Sequence, residues 1–364
     1  MGKHTRKNRK KQGTQANEQL APVAIASGVT PAHEDKISKT QKRKLQKKRA
    51  TAAAATAAAS AAAARKAVSN SGDSTGALEV LHEDVHALVI SKPQGMLCHP
   101  SPGFWDHGTV VHALGKRSRL AGFSVIPEEM MQPRQGYTGE ADSVIPRAIV
   151  HRLDRGTTGL MVIAKTPLAE AHFAQAFKLR TTRKRYVAVL SGRPNGGIGA
   201  VVEEGGALIR VSAPIDRDPA RPGKMLVAPS GKAAQSVVHV HAWSAASRVS
   251  LVSVDLLTGR QHQIRVHCAH LGAPLANDEA YSTPDEVRKL RASLGPLPRN
   301  RPLLHAWSME VAHPDQACGT PLSVRAPLPA DMESVIGRLW PNLGMNPAAW
   351  PQLNLGEDAL GPER

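Results

Sequence analysis

The chain is organised around one stretch, Ile149-Val-His-Arg-Leu-Asp-Arg-Gly-Thr-Thr-Gly-Leu-Met-Val-Ile-Ala-Lys165. Its first half is charged, and Gly156 and Gly159 mark a turn. The run from Leu160 to Ala164 is short and apolar, as buried strands are. We therefore predict a strand that holds the preceding carboxylate, Asp154, at the lip of a cleft. The alternative interpretation of Asp154 is a turn residue, which is the usual role of an Asp beside glycine.

Positive charge is concentrated at the N-terminus. The 364 residues include 47 Lys and Arg against 30 Asp and Glu, a net charge of +17. Residues 1–66 carry 16 of these cations and 3 of the acids, which gives +13 and leaves +4 for the other 298 residues. We predict that residues 1–75 form a disordered, basic, Ala-rich arm, because they lack the large apolar side chains of a core. The arm either collects phosphates, or is a nuclear or organellar address, or is a solvated tail without a partner.

Cysteine usage and hydropathy predict an intracellular protein. The three cysteines show no CxxC spacing, and no apolar run resembles a signal peptide or reaches the ~20 residues that cross a bilayer. We expect a reducing compartment and no membrane, and the Lys-rich clusters favour nucleus or nucleolus over mitochondrion or another organelle. His262, His267 and His270 near Cys268 raise a metal site as an alternative, but their spacing matches no standard zinc arrangement.

The remainder of the chain has the pattern of one globular body. We place this body at 76–335, with a surface insertion at 116–147 and a loose tail at 336–364, because these two segments lack a strong period. Two β-rich runs at 78–81 and 86–90 predict a hairpin, and Pro167 starts a helix that extends toward Arg180. Further strands are predicted at 183–192, 208–211, 225–228, 236–243, 249–256 and, as the last strand, 303–311, and further helices at 109–114, within 257–272 and at 331–340.

Three side chains can be combined with Asp154 into a site. Arg152 and Arg265 are cations, and Tyr186 stands at the basic entrance of a predicted strand. The alternative role of Tyr186 is packing, which is the commonest role of a Tyr at the start of a strand. Residue types alone therefore leave both a site and a purely structural arrangement open.

Six segments resemble, in the same order, the signatures of the RluA-type RNA pseudouridine synthases. The central one is His151-Arg-Leu-Asp154 with the residues that follow it up to Lys165. The others are Lys92-Pro-Gln-Gly-Met-Leu-Cys-His-Pro100, Lys184-Arg-Tyr-Val-Ala-Val-Leu190, Thr258-Gly-Arg-Gln-His-Gln-Ile-Arg-Val-His267, Asp278-Glu-Ala-Tyr281, and Leu304-His-Ala306 with His313-Pro314. The resemblance covers about 78–331 and implies an α+β fold, in which a mixed, largely antiparallel central sheet with flanking helices carries a catalytic cleft.

The resemblance also implies roles for individual residues. Asp154 is expected to be the catalytic carboxylate, Arg265 the cation paired with it, and Tyr186 the aromatic group packed against the target uracil. Arg152 is expected to help extrude the target nucleotide. The residues predicted to bind RNA are Arg152, His151, Arg155, Lys92, Arg260, His262 and Gln263.

The predicted function is the isomerisation of uridine to pseudouridine in structured RNA, either ribosomal or transfer RNA. Breaking the glycosidic bond, turning the base and rejoining it through carbon requires no redox step, metal or other cofactor. We expect RNA as the partner of a monomeric enzyme. Ala273 and Asn277 stand where the family usually has His and Gly. The alternative is therefore a non-catalytic RNA-binding or ribosome-assembly factor on the same fold, and a metal-dependent hydrolase ranks third.

Overall fold

The computed structural model describes residues 78–101, 107–120, 126–133, 145–203, 207–315 and 320–351. The basic arm and the residues after 351 lie outside this range, as do parts of the predicted insertion. The strands are β1 (Glu79–Glu83), β2 (Ala87–Lys92), β3 (Thr158–Ala164), β4 (Arg183–Ser191), β5 (Ala200–Glu203), β6 (Leu208–Ser212), β7 (Ile215–Arg217), β8 (Met225–Val227), β9 (Gln235–Ser244), β10 (Val249–Leu256), β11 (Leu304–Val311) and β12 (Leu322–Arg325). The helices are α1 (Val110–Leu120), α2 (Glu128–Met131), α3 (Pro167–Leu179), α4 (Gln263–His270), α5 (Pro284–Leu294) and α6 (Ala330–Leu339).

Ten of the strands form one sheet in the order β1-β2-β3-β11-β4-β10-β9-β6-β5, with β12 paired to β11. The pair β3 and β11 is parallel, and the other strand pairs of this sheet are antiparallel. Strands β7 and β8 form a separate two-stranded sheet. The predicted α+β fold with a mixed, largely antiparallel sheet is confirmed.

Strand β3 is the strand that the sequence predicted after the charged turn. All seven of its residues are buried, because β2 and β11 pair with its edges and α3 packs nearby. Helix α3 begins at the N-cap Thr166, whose hydroxyl accepts a hydrogen bond from the Ala169 N–H at 3.2 Å. It ends at Arg180, which takes a left-handed φ of 62°. β3 therefore gives the preceding loop, and Asp154 in it, a rigid support.

Replacement of Gly159 by Ala is expected to unfold much of the protein. Gly159 has φ +108°, and a Cβ there would stand 2.3 Å from the Ala306 carbonyl oxygen, at the parallel pairing of β3 and β11. Backbone strain and overpacking together predict a loss of about 4 kcal/mol in the free energy of unfolding. Chemical denaturation measures this loss. The control is Gly115→Ala in α1, where no atom lies within 4 Å and a gain of about 0.5–1 kcal/mol is expected. Equal stabilities of the two variants would contradict the prediction.

Most of the predicted elements are present. The hairpin of β1 and β2, helices α1, α3, α4 and α6, and strands β3, β4, β6, β8, β9, β10 and β11 all lie where the sequence places them. Five described elements lie where the sequence predicted none: helices α2 and α5 and the short strands β5, β7 and β12. The strand predicted at 303–311 is therefore not the last one. Helix α5 has a sequence signal, because Thr283 and Glu286 form a capping box at its start. Within the described ranges, no helix combines the length and apolar character that crossing a membrane requires.

The C-terminal segment packs against the body further than predicted. Trp350 is 6% exposed and belongs to an apolar cluster with residues of β4, β10 and α6. Its indole N–H donates to the Gly344 carbonyl at 3.0 Å, and its ring lies 5.5 Å from that of His241. One tryptophan thus anchors a segment whose Pro and Gly content indicated a loop, and the loose tail stays a prediction for the residues after 351.

Part of the predicted insertion at 116–147 is helical. Helix α1 continues to Leu120, and α2 places Met130 in the core, where it is fully buried. Residues 121–125 and 134–144 lie outside the described residues. The surface character of the insertion therefore stays a prediction for those two segments.

Acidification is expected to destabilise the folded protein through buried neutral histidines. Burial lowers the pKa of His267 to about 4, and its two ring nitrogens are bonded to Ser236 Oγ and the Ala213 carbonyl at 3.0 Å each. The unfolded chain takes up a proton below about pH 6.5, whereas the folded chain does so below about pH 4. This contribution to stability is complete above pH 6.5 and is lost between 6.5 and 4, at about 1.4 kcal/mol per pH unit.

Urea denaturation of His267→Gln across this pH range tests the histidine contribution. The variant is expected to lose stability less steeply on acidification than the unaltered protein. The control is His172→Gln, on the surface of α3, where the Nε2 atom contacts the Ala312 carbonyl at 2.9 Å. A His172→Gln protein should retain the original pH slope, and identical slopes in all three proteins would refute the prediction.

Candidate active site

Asp154 lies in the loop between residue 150 and β3, and its neighbours hold this loop from several sides. The Thr157 N–H donates to the Asp154 carbonyl at 3.1 Å and closes a turn. The Leu153 N–H donates to Cys98 Sγ at 3.2 Å, which ties the loop to the segment after β2. The Gly95 N–H donates to the Arg155 carbonyl at 2.9 Å. The carboxylate itself is 29% exposed, so that it faces a cavity while its backbone is fixed.

Lys92 clamps this loop through its ammonium group. It is fully buried at the end of β2, and its ammonium donates to the carbonyls of Pro93 and Met96 at 2.9 Å and of Arg155 at 3.3 Å. Burial lowers its pKa to about 8. All three hydrogen-bond donors of the ammonium are directed at backbone carbonyls, which lends no support to RNA binding by Lys92, and that role stays a prediction.

A second buried cation fixes the other end of the loop. Arg301 is fully buried and donates to the Gly156 carbonyl at 3.1 Å and to Thr158 Oγ1 at 3.2 Å. Its Nε donates to Asp331 of α6 at 2.8 Å. The residues that surround Asp154 are thus held by two buried cations from distant parts of the chain, and sequence reasoning assigned Arg301 no role.

Arg265 connects Asp154 to a second carboxylate. Its Nε and Nη2 donate to the two oxygens of Asp278 at 2.8 Å each, and its Nη1 reaches Asp154 Oδ2 at 3.4 Å. Burial opposes the charge on Arg265, but the hydrogen bonds and charge of Asp278, and then the charge of Asp154, outweigh it and place its pKa above the usual range. The structure brings Arg265 to Asp154 as expected, but it pairs Arg265 more closely with Asp278, which is fully buried.

Tyr281 and His262 complete the surroundings of Arg265. The Arg265 guanidinium lies 5.0 Å from the centroid of the Tyr281 ring, and the Met225 N–H donates to the Tyr281 hydroxyl at 3.0 Å. The Tyr281 hydroxyl lies 2.8 Å from His262 Nδ1, and His262 Nε2 stands 3.9 Å from Asp154 Oδ2. Burial lowers the pKa of His262. With Nδ1 facing the Tyr281 hydroxyl, Nε2 is the ring nitrogen that faces Asp154.

Two cavities meet at Asp154. One is about 420 Å³ and is lined by the loop after β2, by Asp278 and by residues 299–302. The other is about 510 Å³ and is lined by Tyr186, Phe177 and the segment from 256 to 265. The residues that line both are Arg152, Leu153, Asp154, Gln261, His262 and Arg265. Asp154 and Arg265 therefore form the boundary between two recesses, each large enough to accept part of a small polar group or a base.

Tyr186 forms a wall of the second cavity. It lies in β4 with 9% of its surface exposed, and burial, followed by the charge of Asp154, raises the pKa of its phenol above the usual range. The side chain is therefore neutral and presents an aromatic surface to the cavity. A Tyr at this place can pack against a flat base, as expected from the sequence, and it also belongs to the main apolar core.

Two further residues that were predicted to bind RNA are engaged within the protein. Gln263 is 3% exposed and bonds to Gln235, Ser236, Thr258 and the Arg260 N–H, which leaves its amide no free group. His151 accepts a hydrogen bond from the Val162 N–H at 2.9 Å and stacks on Phe177 at 4.6 Å. Burial, and then the charge of Lys184, lowers the pKa of His151 to about 3. Both residues also line the Tyr186 cavity, and their assignment to RNA binding stays a prediction.

Three of the arginines that were predicted to bind RNA lie at the surface of the two cavities. Arg152 is exposed and lines both cavities, Arg155 is exposed and lines the first, and half-buried Arg260 lines the second. The Nε atoms of Arg155 and Arg260 donate to the carbonyls of Gly95 and Ala233 at 3.0 Å each. The Arg260 bond orients its guanidinium group and leaves other N–H donors of that group available for an anion.

The functional residues that sequence reasoning missed are Asp278 and Tyr281. Both lie in the segment Asp278-Glu-Ala-Tyr281, which resembles a family signature but carried no assigned role. The segment lacks a period or a cap that would place it beside Asp154. The residue types offer one indication, because a carboxylate can accept the hydrogen bonds of a guanidinium and a nearby tyrosine ring can pack against it.

Known proteins resemble this chain over its described body. Residues 86–270 match the family model described as RNA pseudouridylate synthase. The Ribosomal large subunit pseudouridine synthase D of Nitrosomonas europaea is 35% identical over 71% of this chain and 64% of its own length. The enzyme of the same name from Pseudomonas aeruginosa is 36% identical over 70% of this chain and 69% of its own length.

A plant relative extends this set. RNA pseudouridine synthase 2, chloroplastic, from Oryza sativa subsp. japonica is 32% identical over 72% of this chain and 64% of its own length. This chain thus spans less than two thirds of the length of two of the curated relatives, those from Nitrosomonas and rice. The family match covers the central turn, β3, β4 and Arg265, whereas Asp278, Tyr281 and Arg301 lie beyond it. The chain belongs to the RNA pseudouridylate synthase family, with the resemblance to its RluA-type members confirmed.

Proposed function

We propose that this protein isomerises uridine to pseudouridine in ribosomal RNA, with Asp154 as the catalytic carboxylate. The observation that carries the proposal is the position of Asp154 between two cavities, with a guanidinium at 3.4 Å and an aromatic wall in one cavity. A partly exposed carboxylate on a fixed backbone is suited to act on a sugar that enters the cleft. The family membership and the names of the bacterial relatives agree with ribosomal RNA as the substrate class.

The reaction rearranges the atoms of the nucleotide and needs no co-reactant, so the protein has to supply positioning, charge and proton transfer. The bond between the sugar and the base nitrogen breaks, the base turns, and a bond to a ring carbon forms in its place, while that carbon loses its proton and the nitrogen gains one. Asp154 acts toward the sugar either as a nucleophile or as a base. Arg265 places a positive charge 3.4 Å from Asp154 Oδ2, and Asp278 keeps that guanidinium in place through two hydrogen bonds.

A uridine inside a helix cannot reach Asp154, so the nucleotide has to be flipped or already unpaired. Unstacking costs a few kcal/mol, which contacts to the flipped base and to phosphates offset. We place the uracil against Tyr186 in the second cavity, because this is the aromatic wall nearest to the carboxylate. Arg152, which is exposed and lines both cavities, is suited to take the place of the extruded nucleotide or to bind its phosphate.

Nucleoside analysis of treated RNA tests the proposed function. Purified full-length protein is incubated with unmodified ribosomal RNA transcripts and, in parallel, with transfer RNA transcripts. The digested nucleosides are then separated by chromatography, because pseudouridine and uridine have equal mass. We expect pseudouridine in ribosomal RNA. Formation in transfer RNA alone would overturn the substrate class.

The alternative, a non-catalytic RNA-binding or ribosome-assembly factor, makes a different prediction. It requires RNA binding without pseudouridine formation in any transcript. The presence of Asp154, Tyr186 and Arg265 around one cleft disfavours it, since a site without catalytic use has no requirement to keep all three. Binding of RNA by a protein that forms no pseudouridine would favour the alternative.

The basic arm at 1–66 is proposed to bind RNA phosphates. Its +13 charge predicts that removal of these residues lowers RNA affinity and flattens the dependence of affinity on salt. Filter binding of the shortened protein at several salt concentrations measures both effects. Unchanged affinity at low salt would instead favour a targeting role. A nuclear or nucleolar address stays a prediction, which rests on the Lys-rich clusters. The relatives described above are bacterial or are named chloroplastic, and they lend no support to a nuclear address.

A further inference from the structure

A third cavity adjoins the one that Tyr186 lines. It has a volume of about 700 Å³ and is formed by the start of β4, the end of β10, β11 and β12. It shares Arg180, Lys184 and Leu256 with the Tyr186 cavity. We call it the outer groove. Because the two recesses share these residues, a chain that leaves the Tyr186 cavity can continue into the outer groove without crossing the body of the protein.

The outer groove is positively charged. Its acidic lining residues, Asp255 and Glu310, are already engaged by arginines. Arg185 binds Asp255 at 2.6 and 2.8 Å, and Arg183 reaches Glu310 at 3.4 Å. The cations that line it are Arg180, Arg183, Lys184, Arg185 and Arg325. Five cations against two carboxylates leave a charge of +3 along the groove.

Three of these cations have no carboxylate partner among the described residues. Arg180 and Arg325 are exposed, and the Arg325 guanidinium lies 5.4 Å from the Trp307 ring. The Lys184 ammonium is half-buried, 5.6 Å from the Phe177 ring, at the junction of the two recesses. Burial, and then the charge of Arg180, lowers the pKa of Lys184. Two neighbouring cations without a counter-ion, one of them partly desolvated, are stabilised when an anion binds between them.

The backbone of Arg180 strengthens this interpretation. Arg180 is the C-cap of α3 with a left-handed φ of 62°, a position that glycine or asparagine usually occupies. The helix end places its side chain at the mouth of the Tyr186 cavity, on the side of the outer groove. The positive charge there also interacts favourably with the carbonyl end of the helix, so local stability is an additional reason for a cation.

We propose that the outer groove binds the single-stranded RNA that flanks the target uridine, with Arg180 and Lys184 holding the first phosphate beyond the flipped nucleotide. Arg183 and Arg325 continue the path for following phosphates. The inference rests on the proposed function for the identity of the flipped nucleotide, whereas the charge of the groove stands independently. RNA is favoured over an acidic peptide because the groove opens from the cavity that is proposed to receive a base.

The test compares two arginines that share a backbone conformation. Arg180→Gly removes a groove cation at a left-handed position, and Arg248→Gly removes an exposed arginine with φ 52° that does not line the groove. Both changes suit the backbone, because glycine adopts this conformation readily. A third variant combines Arg180→Gly with Arg325→Gln. The probe is a fluorescently labelled single-stranded oligouridylate, bound to the full-length protein at several KCl concentrations.

We expect Arg180→Gly to weaken oligouridylate binding about tenfold and the double variant to weaken it further. Each lost phosphate contact should reduce the slope of log affinity against log salt by about 0.7. Arg248→Gly should bind as the unaltered protein does, and thermal unfolding checks that all variants fold. Equal binding by Arg180→Gly, the double variant and Arg248→Gly would overturn the proposal. Loss of polyglutamate binding in the double variant, without loss of oligouridylate binding, would also overturn it and favour an acidic protein partner.

Failure of the groove and failure of the proposed function have different signatures. If no transcript acquires pseudouridine but Arg180→Gly still weakens oligouridylate binding, the enzymatic proposal fails and the groove remains an RNA surface. If pseudouridine forms and the groove variants bind oligouridylate as Arg248→Gly does, the groove proposal fails and the enzymatic one remains.

Discussion

Replacement of Asp154 by Asn is expected to abolish pseudouridine formation while leaving the fold and RNA affinity nearly unchanged. Asn has the shape of Asp but supplies neither a nucleophilic carboxylate nor a base, so the rate should fall by about 10⁴-fold or more. The fold should persist, because Arg265 keeps its two hydrogen bonds to Asp278 and the loop is held by Lys92 and Arg301. Pseudouridine formation in ribosomal RNA measures activity, filter binding measures RNA affinity, and thermal unfolding measures the stability of the fold.

The control for Asp154→Asn is Glu279→Gln. Glu279 is an exposed carboxylate that lines the first cavity and binds Arg291. Its neutralisation changes the charge of the cleft by the same amount without touching the proposed reacting group, so most of the activity should remain. Full activity of Asp154→Asn would refute the catalytic role of Asp154. A comparable loss in both variants would show that the cleft needs negative charge in general and not this carboxylate.

The second large effect is expected from Asp278→Ala. The variant leaves the buried Arg265 guanidinium without the two hydrogen bonds that hold it, and breaking a buried pair from one side costs about 3–5 kcal/mol. Arg265 then has Asp154 as its remaining carboxylate, so the guanidinium should move toward it and engage the group that has to react. We expect both a lower free energy of unfolding and a strong loss of turnover. Urea denaturation and the nucleoside assay measure these separately.

A double-mutant cycle separates the structural from the catalytic part of this effect. Arg265→Met leaves Asp278 unpaired and Asp278→Leu removes the closer partner of Arg265, whereas the double variant that combines the two replaces the pair by apolar groups of similar size. The double variant should recover most of the stability that each single variant loses, because no buried charge is left without a partner. It should remain inactive, since Asp154 then has no guanidinium beside it. Additive losses of stability would contradict a tight pair, and an active double variant would contradict the role of Arg265.

The sequence predicted the scaffold of the site better than the use of its polar residues. The strand after the charged turn, helix α3 and strand β4 are encoded by short-range features, such as an apolar run, an N-cap threonine followed by proline, and β-rich composition. In contrast, the residue types of Lys92 and Gln263 are common among surface residues that contact ligands, so residue type does not reveal that both side chains are buried. Their burial depends on carbonyls and hydroxyls that arrive from other segments, such as Arg155 for Lys92 and Gln235 for Gln263.

The pairing of Arg265 also separates what the sequence predicted from what depends on the folded chain. The resemblance to the family predicted that Arg265 pairs with Asp154, which lies 111 positions away in the chain. In the structure, Arg265 Nη1 lies 3.4 Å from Asp154 Oδ2. Its stronger partner, Asp278, lies only 13 positions away but follows a helix and a turn that reverse the chain. A guanidinium between two carboxylates binds the one that offers two parallel hydrogen bonds, and this choice depends on orientation and not on residue type.

By itself, the sequence determined the order of the main strands and helices, the concentration of charge in the first 66 residues and the identity of the carboxylate in the central turn. These properties depend on composition and on interactions between residues close together in the chain. The tertiary structure decided which cations are buried clamps and which carboxylate holds Arg265. It also decided that two cavities meet at Asp154 and that a basic groove adjoins one of them. Burial and hydrogen-bond geometry are set by segments that meet only in the folded chain, and they determine whether a given Lys, Gln or His faces a ligand or the protein itself.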